Sequence, residues 1–435
     1  MNKILKACTV GTLSVASVTV KAEKKPNIIF IMADDLGYGD LSCYGSKKVK
    51  TPNLDKLAAT GIKFTDAHSN GAVCSPSRAA FFTGRYQQHY GITGVVTAAK
   101  HRHAGLSQEA WTVGEAMKEQ GYKTALFGKW HLGYKTDFNP SKQGFDVYKG
   151  FVAGNVDYHN KIDLEGYYDW LHQDKIVKEE GYVTDLINNY AMKFVEENKD
   201  KPFFMVMTHG APHAPYQGPN DKGFRKLGTN KHPKEASVGI DTGKAFLEMM
   251  SSMDAGIGRL VGKLDELGIR DNTLVIFTSD NGPAKKGSSG GLRGGKSSIY
   301  EGGHRVPTIA NWPGFIKPQE SDSLIMAADM LPTFVELAGG KLSPEKQIDG
   351  KSIVSVLKGK KQKREFLFWG YKSNVAVRDG NWKFIYSSKG KSELYDLSND
   401  LKEKKNRAKE FPERVKTFIE AIKKWKTYTK AKKQS

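Results

Sequence analysis

The chain has 435 residues, enough for a large buried core in one domain of about 330 residues followed by a smaller one. Its formal net charge is +20, and residues 341–435 alone hold 26 Lys and Arg against 11 Asp and Glu. A basic field of this kind favours anionic partners such as sulfated polymers, nucleic acid or acidic lipid. Because the chain contains no RNA- or DNA-binding signature, we do not expect nucleic acid as its partner.

Residues 1–22 have a charged start, MNKILK, a mild apolar run and an end at Val20-Lys21-Ala22. This pattern predicts a secretory signal peptide cleaved after Ala22, and therefore export to the periplasm or the exterior. The segment is too short and too rich in Ser and Thr to cross a bilayer, so we expect no transmembrane segment.

A short apolar run at residues 26–32, PNIIFIM, predicts a strand that is buried on both faces. Asp34 and Asp35 follow it directly. Functional sites in open α/β sheets lie at the carboxyl ends of strands, so two acids at this place indicate a metal site. Carboxylate oxygens suit Ca²⁺ or Mg²⁺ better than Zn²⁺.

Residues 51–61 have the pattern of a helix, and the following strand, IKFTDAH, leads the chain to Cys74. CSPSR then predicts the start of another helix, with Ser75 as its cap and Pro76 in its first turn. Arg78 comes one helical turn after Cys74. A cysteine at a helix N-terminus beside a fixed cation is suited to anionic chemistry.

An amphipathic helix is predicted at 111–122, followed by the strand TALFGKWHLG, which ends in a polar loop containing Lys129 and His131. This loop is a candidate anion-binding site. Residues 151–182 are polar and aromatic, and they form either a surface excursion or a substrate wall. In the second case aromatic and histidine side chains contact sugar faces and hydroxyls; these are Tyr158, His159, Tyr167, Tyr168 and Trp170.

Two further buried strands end in polar residues. PFFMVMTHG leads to His209 and then His213, and NTLVIFTSDNG, after a long helix at 243–268, ends at Asp280 and Asn281. The glycine-rich segment KKGSSGGLRGGK, which contains Arg293 and Lys296, lacks the spacing of a nucleotide-binding loop.

The composition changes near residue 345. Short strands separated by turn signals predict an antiparallel sheet, and FPERVKTFIEAIKKWKTYTK predicts a closing amphipathic helix. Its apolar face is formed by Phe411, Val415, Phe418, Ile422 and Trp425.

The sequence blocks just described, taken together, resemble the type I sulfatases of the alkaline phosphatase superfamily. The resemblance rests on CSPSRAAFFTGRY and on further blocks in the family's order: PNIIFIMADDLGYGDLSCYG, GKWHLG, APHAP, FTSDNG, GGKSSIYEGGHRVP and AVRDGNWKFIY. It covers nearly the whole chain after the leader. In that family the motif cysteine is converted to formylglycine (3-oxoalanine), whose hydrated aldehyde is the nucleophile.

The resemblance implies a role for each matched residue. A calcium ion, with Mg²⁺ as an alternative, would be held by Asp34, Asp35, Asp280, Asn281 and the modified Cys74. The catalytic set would be Cys74, Arg78, Lys129, His131, His213, Asp280 and Lys296. His213 would protonate the leaving alcohol, and Asp280 would take a proton from the attacking hydroxyl. His131 would serve the proton transfer that regenerates the aldehyde. Substrate contacts would come from Lys129, Tyr158, His159, His213, Arg293, Lys296 and His304.

The expected fold is α/β: a large, mixed, mostly parallel sheet flanked by helices at 23–345, and a C-terminal subdomain of antiparallel sheet plus helix at 346–435. The expected function is hydrolysis of sulfate esters of a carbohydrate, after activation by a formylglycine-generating maturation enzyme. A phosphonate monoester or phosphodiester hydrolase and a non-catalytic binder of sulfated glycans are the alternatives. The sequence leaves the sugar and the oligomeric state open.

Overall fold

The protein is described here from a computed structural model that covers residues 24–387 and 392–430. The predicted signal peptide at 1–22 lies outside these residues, as do the last five residues of the basic tail. None of the helices in the described part of the chain is long and apolar enough to cross a membrane.

Ten strands form one large sheet in the order β11-β2-β10-β9-β1-β8-β4-β5-β6-β7. The central strands β9, β1, β8, β4 and β5 are parallel to one another. Strand β10 is antiparallel to both its neighbours, β2 and β9, and at the other end of the sheet β6 is antiparallel to β5 and to β7. The bounds of these ten strands are β1 Asn27–Ala33, β2 Ile62–Phe64, β4 Lys123–Lys129, β5 Val147–Phe151, β6 Leu171–His172, β7 Lys175–Ile176, β8 Phe203–Thr208, β9 Thr273–Ser279, β10 Thr308–Asn311 and β11 Gln319–Ser321. Two short strands, β3 Ala67–His68 and β12 Ile325–Met326, pair in parallel as a separate sheet. The predicted mixed, mostly parallel sheet is confirmed.

Both faces of the sheet are covered by helices, which explains the continuous apolar run in β1. Alternate side chains of β1 enter two separate cores: Ile28 and Phe30 one, Ile29 and Ile31 the other. Helices α2, α4 and α8 contribute to the first core, and α1, α5 and α6 to the second. The helices are α1 Pro52–Ala59, α2 Cys74–Thr83, α3 Ala98–His101, α4 Val113–Glu119, α5 Val183–Asn198, α6 Thr242–Glu266, α7 Glu301–His304, α8 Met330–Leu337, α9 Val354–Leu357 and α10 Pro412–Tyr428.

The C-terminal part forms an antiparallel sheet of four strands: β13 Leu367–Tyr371, β14 Asn374–Asp379, β15 Trp382–Tyr386 and β16 Glu393–Asp396. Phe418, Ile422 and Trp425 of α10 are buried against it, as the apolar periodicity predicts. Phe411 and Val415 pack at the edge of the same core. The predicted antiparallel sheet with its helix is therefore confirmed, while the division at residue 345 stays a prediction.

Candidate active site

The carboxyl ends of β1 and β9 bring four polar side chains together, as the sequence predicts. Asp34 and Asp35 follow β1, and Asp280 and Asn281 follow β9. Asp35 donates its backbone N–H to Asp280 Oδ1 at 3.2 Å and accepts a hydrogen bond from Asn281 Nδ2 at 2.8 Å on its Oδ1. All four residues are buried, so this is an enclosed acidic pocket and not a solvated turn.

Cys74 lies at the first position of α2, with its Sγ 3.3 Å from Asp34 Oδ1 and 3.9 Å from Asp35 Oδ1. The predicted cap is wrong: Val73 precedes the helix without a side-chain bond, and Ser75 Oγ accepts the backbone N–H of Val96. Burial and the nearby carboxylates raise the pKa of the Cys74 thiol well above its usual value. An unmodified cysteine here would stay protonated and be a poor nucleophile.

Arg78 is fully buried one turn along α2 and links two parts of the site. Its Nε donates to Asp280 Oδ2 at 2.9 Å, and its Nη1 donates to the backbone oxygen of Lys129 at 2.8 Å. The guanidinium therefore fixes the orientation of Asp280 relative to the end of β4. This role matches the helical spacing from Cys74 noted in the sequence.

Two lysines neutralise the two acids of β1. Lys129 Nζ lies 2.6 Å from Asp34 Oδ2, and Lys296 Nζ lies 2.7 and 2.8 Å from the two carboxylate oxygens of Asp35. Burial alone would raise the pKa of each carboxyl. Burial is the largest single effect on each carboxyl, but Lys129, His213 and Arg78 together outweigh it at Asp34, and His213 with Lys296 at Asp35, so both carboxyl pKa values are lowered.

Two of the predicted histidines reach this cluster. His213 Nε2 lies 3.4 Å from Asp35 Oδ2. His131 is buried with a positive φ of 61°, and its Nε2 contacts the backbone oxygen of Val96 at 3.0 Å. Burial, together with the charges of Lys129 and other site cations, lowers the pKa of His131 well below its usual value, so this ring is neutral near pH 7. Nothing in the sequence indicates that the His131 ring contacts the backbone oxygen of Val96.

The donors in the pocket suit a hard cation. Oxygen, nitrogen and sulfur atoms of Asp34, Asp35, Cys74 and His213 lie within 4.8 Å of one another. Asn281 Oδ1 is buried and has no hydrogen-bond partner among the described residues, which leaves an amide oxygen available as a ligand. Carboxylate and amide oxygens around two cationic lysines can hold Ca²⁺ together with an anion.

A second group with metal-like spacing comprises His68, Glu301 and His304. Here Lys383 already supplies the cation: its Nζ lies 2.9 Å from Glu301 Oε1 and 3.0 Å from His304 Nε2. His304 is completely buried and stacks on Trp369, so the prediction that it contacts substrate is wrong.

Arg293 likewise makes its contacts with the C-terminal part of the chain. Its guanidinium donates to the hydroxyls of Tyr300 and Tyr395 and to the backbone oxygen of Glu403. It also lies over the ring of Tyr300 at 3.7 Å. The structure therefore does not bring Arg293 to the acidic pocket.

The 151–182 segment packs largely against the protein. Trp170 is fully buried between Phe151 and Tyr190, and Tyr158 is buried with its hydroxyl donating to the backbone oxygen of His213. The prediction that Tyr158 and Trp170 stack on sugars is therefore wrong. The sequence could not separate the two cases, because Tyr and Trp occur both in protein cores and on sugar-binding surfaces. His159 and Tyr168 line a surface cavity of about 580 Å³, and the Tyr167 side chain is exposed.

Gly154 determines the position of the His131 ring. A Cβ at Gly154 would lie 2.8 Å from His131 Nε2, closer than such atoms approach. Gly154→Ala should therefore displace the ring from Val96 and lower kcat by about 10²-fold, with the fold retained. The control is Gly262→Ala, because a Cβ at this α6 position meets nothing within 4 Å. Steady-state kinetics and thermal melts check the prediction; unchanged kcat in Gly154→Ala would contradict it.

Asp169 supports the loop that contains Gly154. Its carboxyl accepts the backbone N–H groups of Val152 and Ala153, and burial raises its pKa to about 7. A raised folded-state pKa stabilises the protein below the unfolded value of 3.8, and this contribution is lost as the pH rises through about 7. Wild type should therefore lose about 3 kcal/mol of unfolding free energy between pH 5 and pH 8 through this group.

The variant Asp169→Asn should lack this loss, which urea unfolding at the two pH values would measure. Asp174→Asn, at an exposed carboxylate, should keep the wild-type pH dependence. Equal pH dependence in wild type and Asp169→Asn would contradict the prediction.

Comparisons with known proteins agree with this arrangement. The sulfatase family model matches residues 26–340, and a model described as N-sulphoglucosamine sulphohydrolase, C-terminal, matches residues 295–428. The chain is 32% identical to human arylsulfatase A, over 88% of this chain and 83% of that protein. It is also 32% identical to an N-acetylgalactosamine-6-O-sulfatase of Bacteroides thetaiotaomicron, over 88% of this chain and 89% of the relative.

Solved structures share the fold. The crystal structure titled Ps i-CgsB matches with a TM-score of 0.84 and 31% identity, covering 92% of this chain and 93% of that one. A phosphonate monoester hydrolase of Agrobacterium radiobacter matches with a TM-score of 0.65 at 21% identity, over 93% of this chain and 96% of that chain, a likeness of fold alone. Together with the buried acids, lysines and cysteine at the strand ends, these matches show that the chain belongs to the sulfatase family, as a sulfuric ester hydrolase of type I in the alkaline phosphatase superfamily.

Proposed function

We propose that this sulfatase hydrolyses sulfate esters of a carbohydrate, with Cys74 converted to formylglycine and a calcium ion held by Asp34, Asp35, Asp280 and Asn281. The observation that carries the proposal is the position of Cys74, whose Sγ lies 3.3 Å from Asp34 in a pocket neutralised by two lysines. Two relatives support a carbohydrate substrate. The Bacteroides relative is named an N-acetylgalactosamine-6-O-sulfatase. A second structure of Ps i-CgsB contains a neocarrahexaose; it matches with a TM-score of 0.83 and 31% identity, covering 92% of this chain and 93% of that one.

The residues of the chain divide the work of the reaction. Lys129 and Lys296 neutralise charge on the sulfate oxygens, and such preorganised charge stabilisation is usually the largest contribution to catalysis. Arg78 holds Asp280, which accepts the proton of the attacking group. His213 is placed beside Asp35 to donate a proton to the leaving alcohol, a contribution of about 10²–10⁴-fold. Formylglycine at Cys74 would supply the attacking hydroxyl and a second hydroxyl, whose proton His131 would take as sulfate leaves, and a calcium ion in the pocket would polarise the sulfate oxygens.

The same proposal includes the route to the mature enzyme. Residues 1–22 direct export to the periplasm or the exterior, and a formylglycine-generating enzyme acts on the CSPSR segment. Cys74 is buried in the folded protein, so modification must precede the completion of folding.

The test uses protein from a host that contains the maturation enzyme. Sulfate release is measured with defined sulfated oligosaccharides and 4-nitrophenyl sulfate, and 4-nitrophenol release is measured with the 4-nitrophenyl monoester of phenylphosphonate. We expect the highest kcat/KM on one of the oligosaccharides. A preference for the aryl sulfate would refute the carbohydrate substrate, and a preference for the phosphonate would favour the alternative hydrolase.

Calcium removal should abolish activity and lower the melting temperature, because the buried carboxylates of Asp34 and Asp35 lose their divalent partner. Dialysis against EGTA followed by calorimetry measures both effects. Added Ca²⁺ should restore activity better than Zn²⁺, since the available ligands are mainly oxygen atoms. Full activity after chelation would contradict the proposed ion.

A further inference from the structure

A basic segment that includes the short helix α3 lies beside the site and has no part in the chemistry described so far. It consists of residues 97–104, TAAKHRHA, and is named here the basic rim. Its side chains Lys100, His101, Arg102 and His103 are all exposed. Two fixed cations and two titratable rings thus follow one another along the chain.

Val96, the residue just before the basic rim, contacts two segments of the active site. The Val96 N–H donates to Ser75 Oγ at 3.0 Å, next to Cys74. The Val96 oxygen contacts His131 Nε2, also at 3.0 Å. From this buried residue to Lys100 the chain can extend at most about 14 Å. The basic rim therefore begins at the wall of the sulfate pocket.

The second end returns to the segment that contains His131. Leu106 donates its N–H to the oxygen of Leu132 at 2.8 Å, and Gly105 pairs with Gly133 in an isolated β-bridge. Both ends of the loop are thus held by residues within a few positions of His131. The exposed cations are therefore held within a few residues of chain from two positions that contact the His131 segment.

The side chains of the basic rim differ in how far the protein itself neutralises them. Among the described residues, Lys100 and His103 take part in no ion pair, and His101 contacts only Thr97. Arg102 lies over the exposed ring of Tyr167 at 4.6 Å and faces the carboxylates of Asp163 and Glu165. The stacked ring orients the guanidinium, whose planar N–H groups match sulfate or carboxylate oxygens.

We propose that the basic rim is a subsite for a second anionic group, a sulfate or a carboxylate, on a sugar adjacent to the one that is desulfated. The inference rests on the proposed carbohydrate substrate and adds a preference for multiply charged chains. Lys100 and Arg102 are the specificity-determining residues. They act on substrate binding, while the reacting sulfate stays with Lys129 and Lys296.

The test compares wild type with the double variant Lys100→Gln/Arg102→Gln. Substrates of equal length have one sulfate, two sulfates, or one sulfate and one uronate carboxylate; 4-nitrophenyl sulfate is the small reference. For at least one doubly charged substrate, KM should rise about tenfold with kcat retained. KM for the singly charged substrates should change by less than about twofold. The substrate with the larger effect identifies the anion as sulfate or carboxylate.

The matched control is Lys199→Gln/Lys201→Gln, which removes the same charge just before β8, at the amino end of a strand whose carboxyl end lies on the side of the active site. It should leave the KM for every substrate unchanged. Similar KM changes in this control would indicate general charge attraction and overturn the subsite. Equal loss of kcat on 4-nitrophenyl sulfate in the rim variant would also overturn it, since the loop would then only position His131.

A binding measurement separates this inference from the proposed function. In the inactive Cys74→Ala background, calorimetry should show a doubly charged oligosaccharide binding about tenfold tighter than the singly charged one, and the rim variant should remove the difference. No difference in the background protein refutes the subsite. Failure of the proposed function is a different result: wild type would turn over aryl sulfates and none of the oligosaccharides.

Discussion

Replacing Cys74 by alanine is expected to reduce sulfate ester hydrolysis by roughly 10⁴-fold or more, the size of effect seen when a covalent nucleophile is removed. The Sγ of this residue lies 3.3 Å from Asp34 at the start of α2, within the cluster that it forms with Asp34, Asp35 and His213. The raised pKa of the thiol also predicts that unmodified protein is inactive. Steady-state kinetics on a chromogenic sulfate ester measures the loss.

Mass analysis of the CSPSR peptide is the companion measurement. Active wild type should carry an aldehyde at Cys74, and protein from a host without the maturation enzyme should carry a thiol and be inactive. The control is Cys43→Ala. Cys43 is not part of the cluster, and its backbone N–H donates to the carboxylate of Asp55. Full activity with an intact thiol at Cys74, or in the alanine variant, would refute the mechanism.

Loss of Arg78 should have the largest effect on stability. Arg78→Ala removes a fully buried guanidinium and leaves the buried carboxylate of Asp280 without its ion-pair partner. Breaking a buried ion pair from one side costs about 3–5 kcal/mol. Urea unfolding of the calcium-free protein, in which no bound ion compensates Asp280, should show this loss. The calcium-loaded variant should lose activity because Asp280 is no longer held.

The surface pair between Arg259 and Asp185 supplies the control for this prediction. Its atoms are 3.7 Å apart and both side chains are largely exposed, so Arg259→Ala should cost no more than about 1 kcal/mol. Equal unfolding free energies for the two variants would show that the Arg78 pair contributes no more than an exposed one.

The central sheet and the acidic pocket are predictable from the sequence because buried parallel strands leave a strong local signal. Their apolar runs end directly at Asp34, Asp280 and Lys129, so neighbouring strand ends bring these side chains together. The start of α2 could not be predicted in this way. Serine is a common N-cap residue, but the Ser75 hydroxyl accepts the backbone N–H of Val96, which is distant in the sequence.

The errors concern residues whose environment is set by tertiary packing. Trp170 and Tyr158 have rings suited to sugar binding, but the same rings fill a core. His304 lies in a motif near the site, but its partners His68 and Lys383 come from segments far apart in the sequence. Local sequence patterns indicate which residue types lie near the site, but long-range contacts decide whether a given side chain is exposed to substrate or buried in a core.

The ammonium of Lys383 has a consequence for how the molecule can be divided. It comes from β15 and ends between Glu301 and Glu403, both within 2.9 Å and all three buried. A truncated protein ending near residue 345 would remove Lys383 from Glu301 and leave this carboxylate with Arg305, 2.7 Å away, in a region built to hold a second cation. The C-terminal family match also begins at residue 295, before that boundary. The two parts therefore should melt as one cooperative unit, and chimaeras between relatives need to exchange this acid–lysine set as a whole.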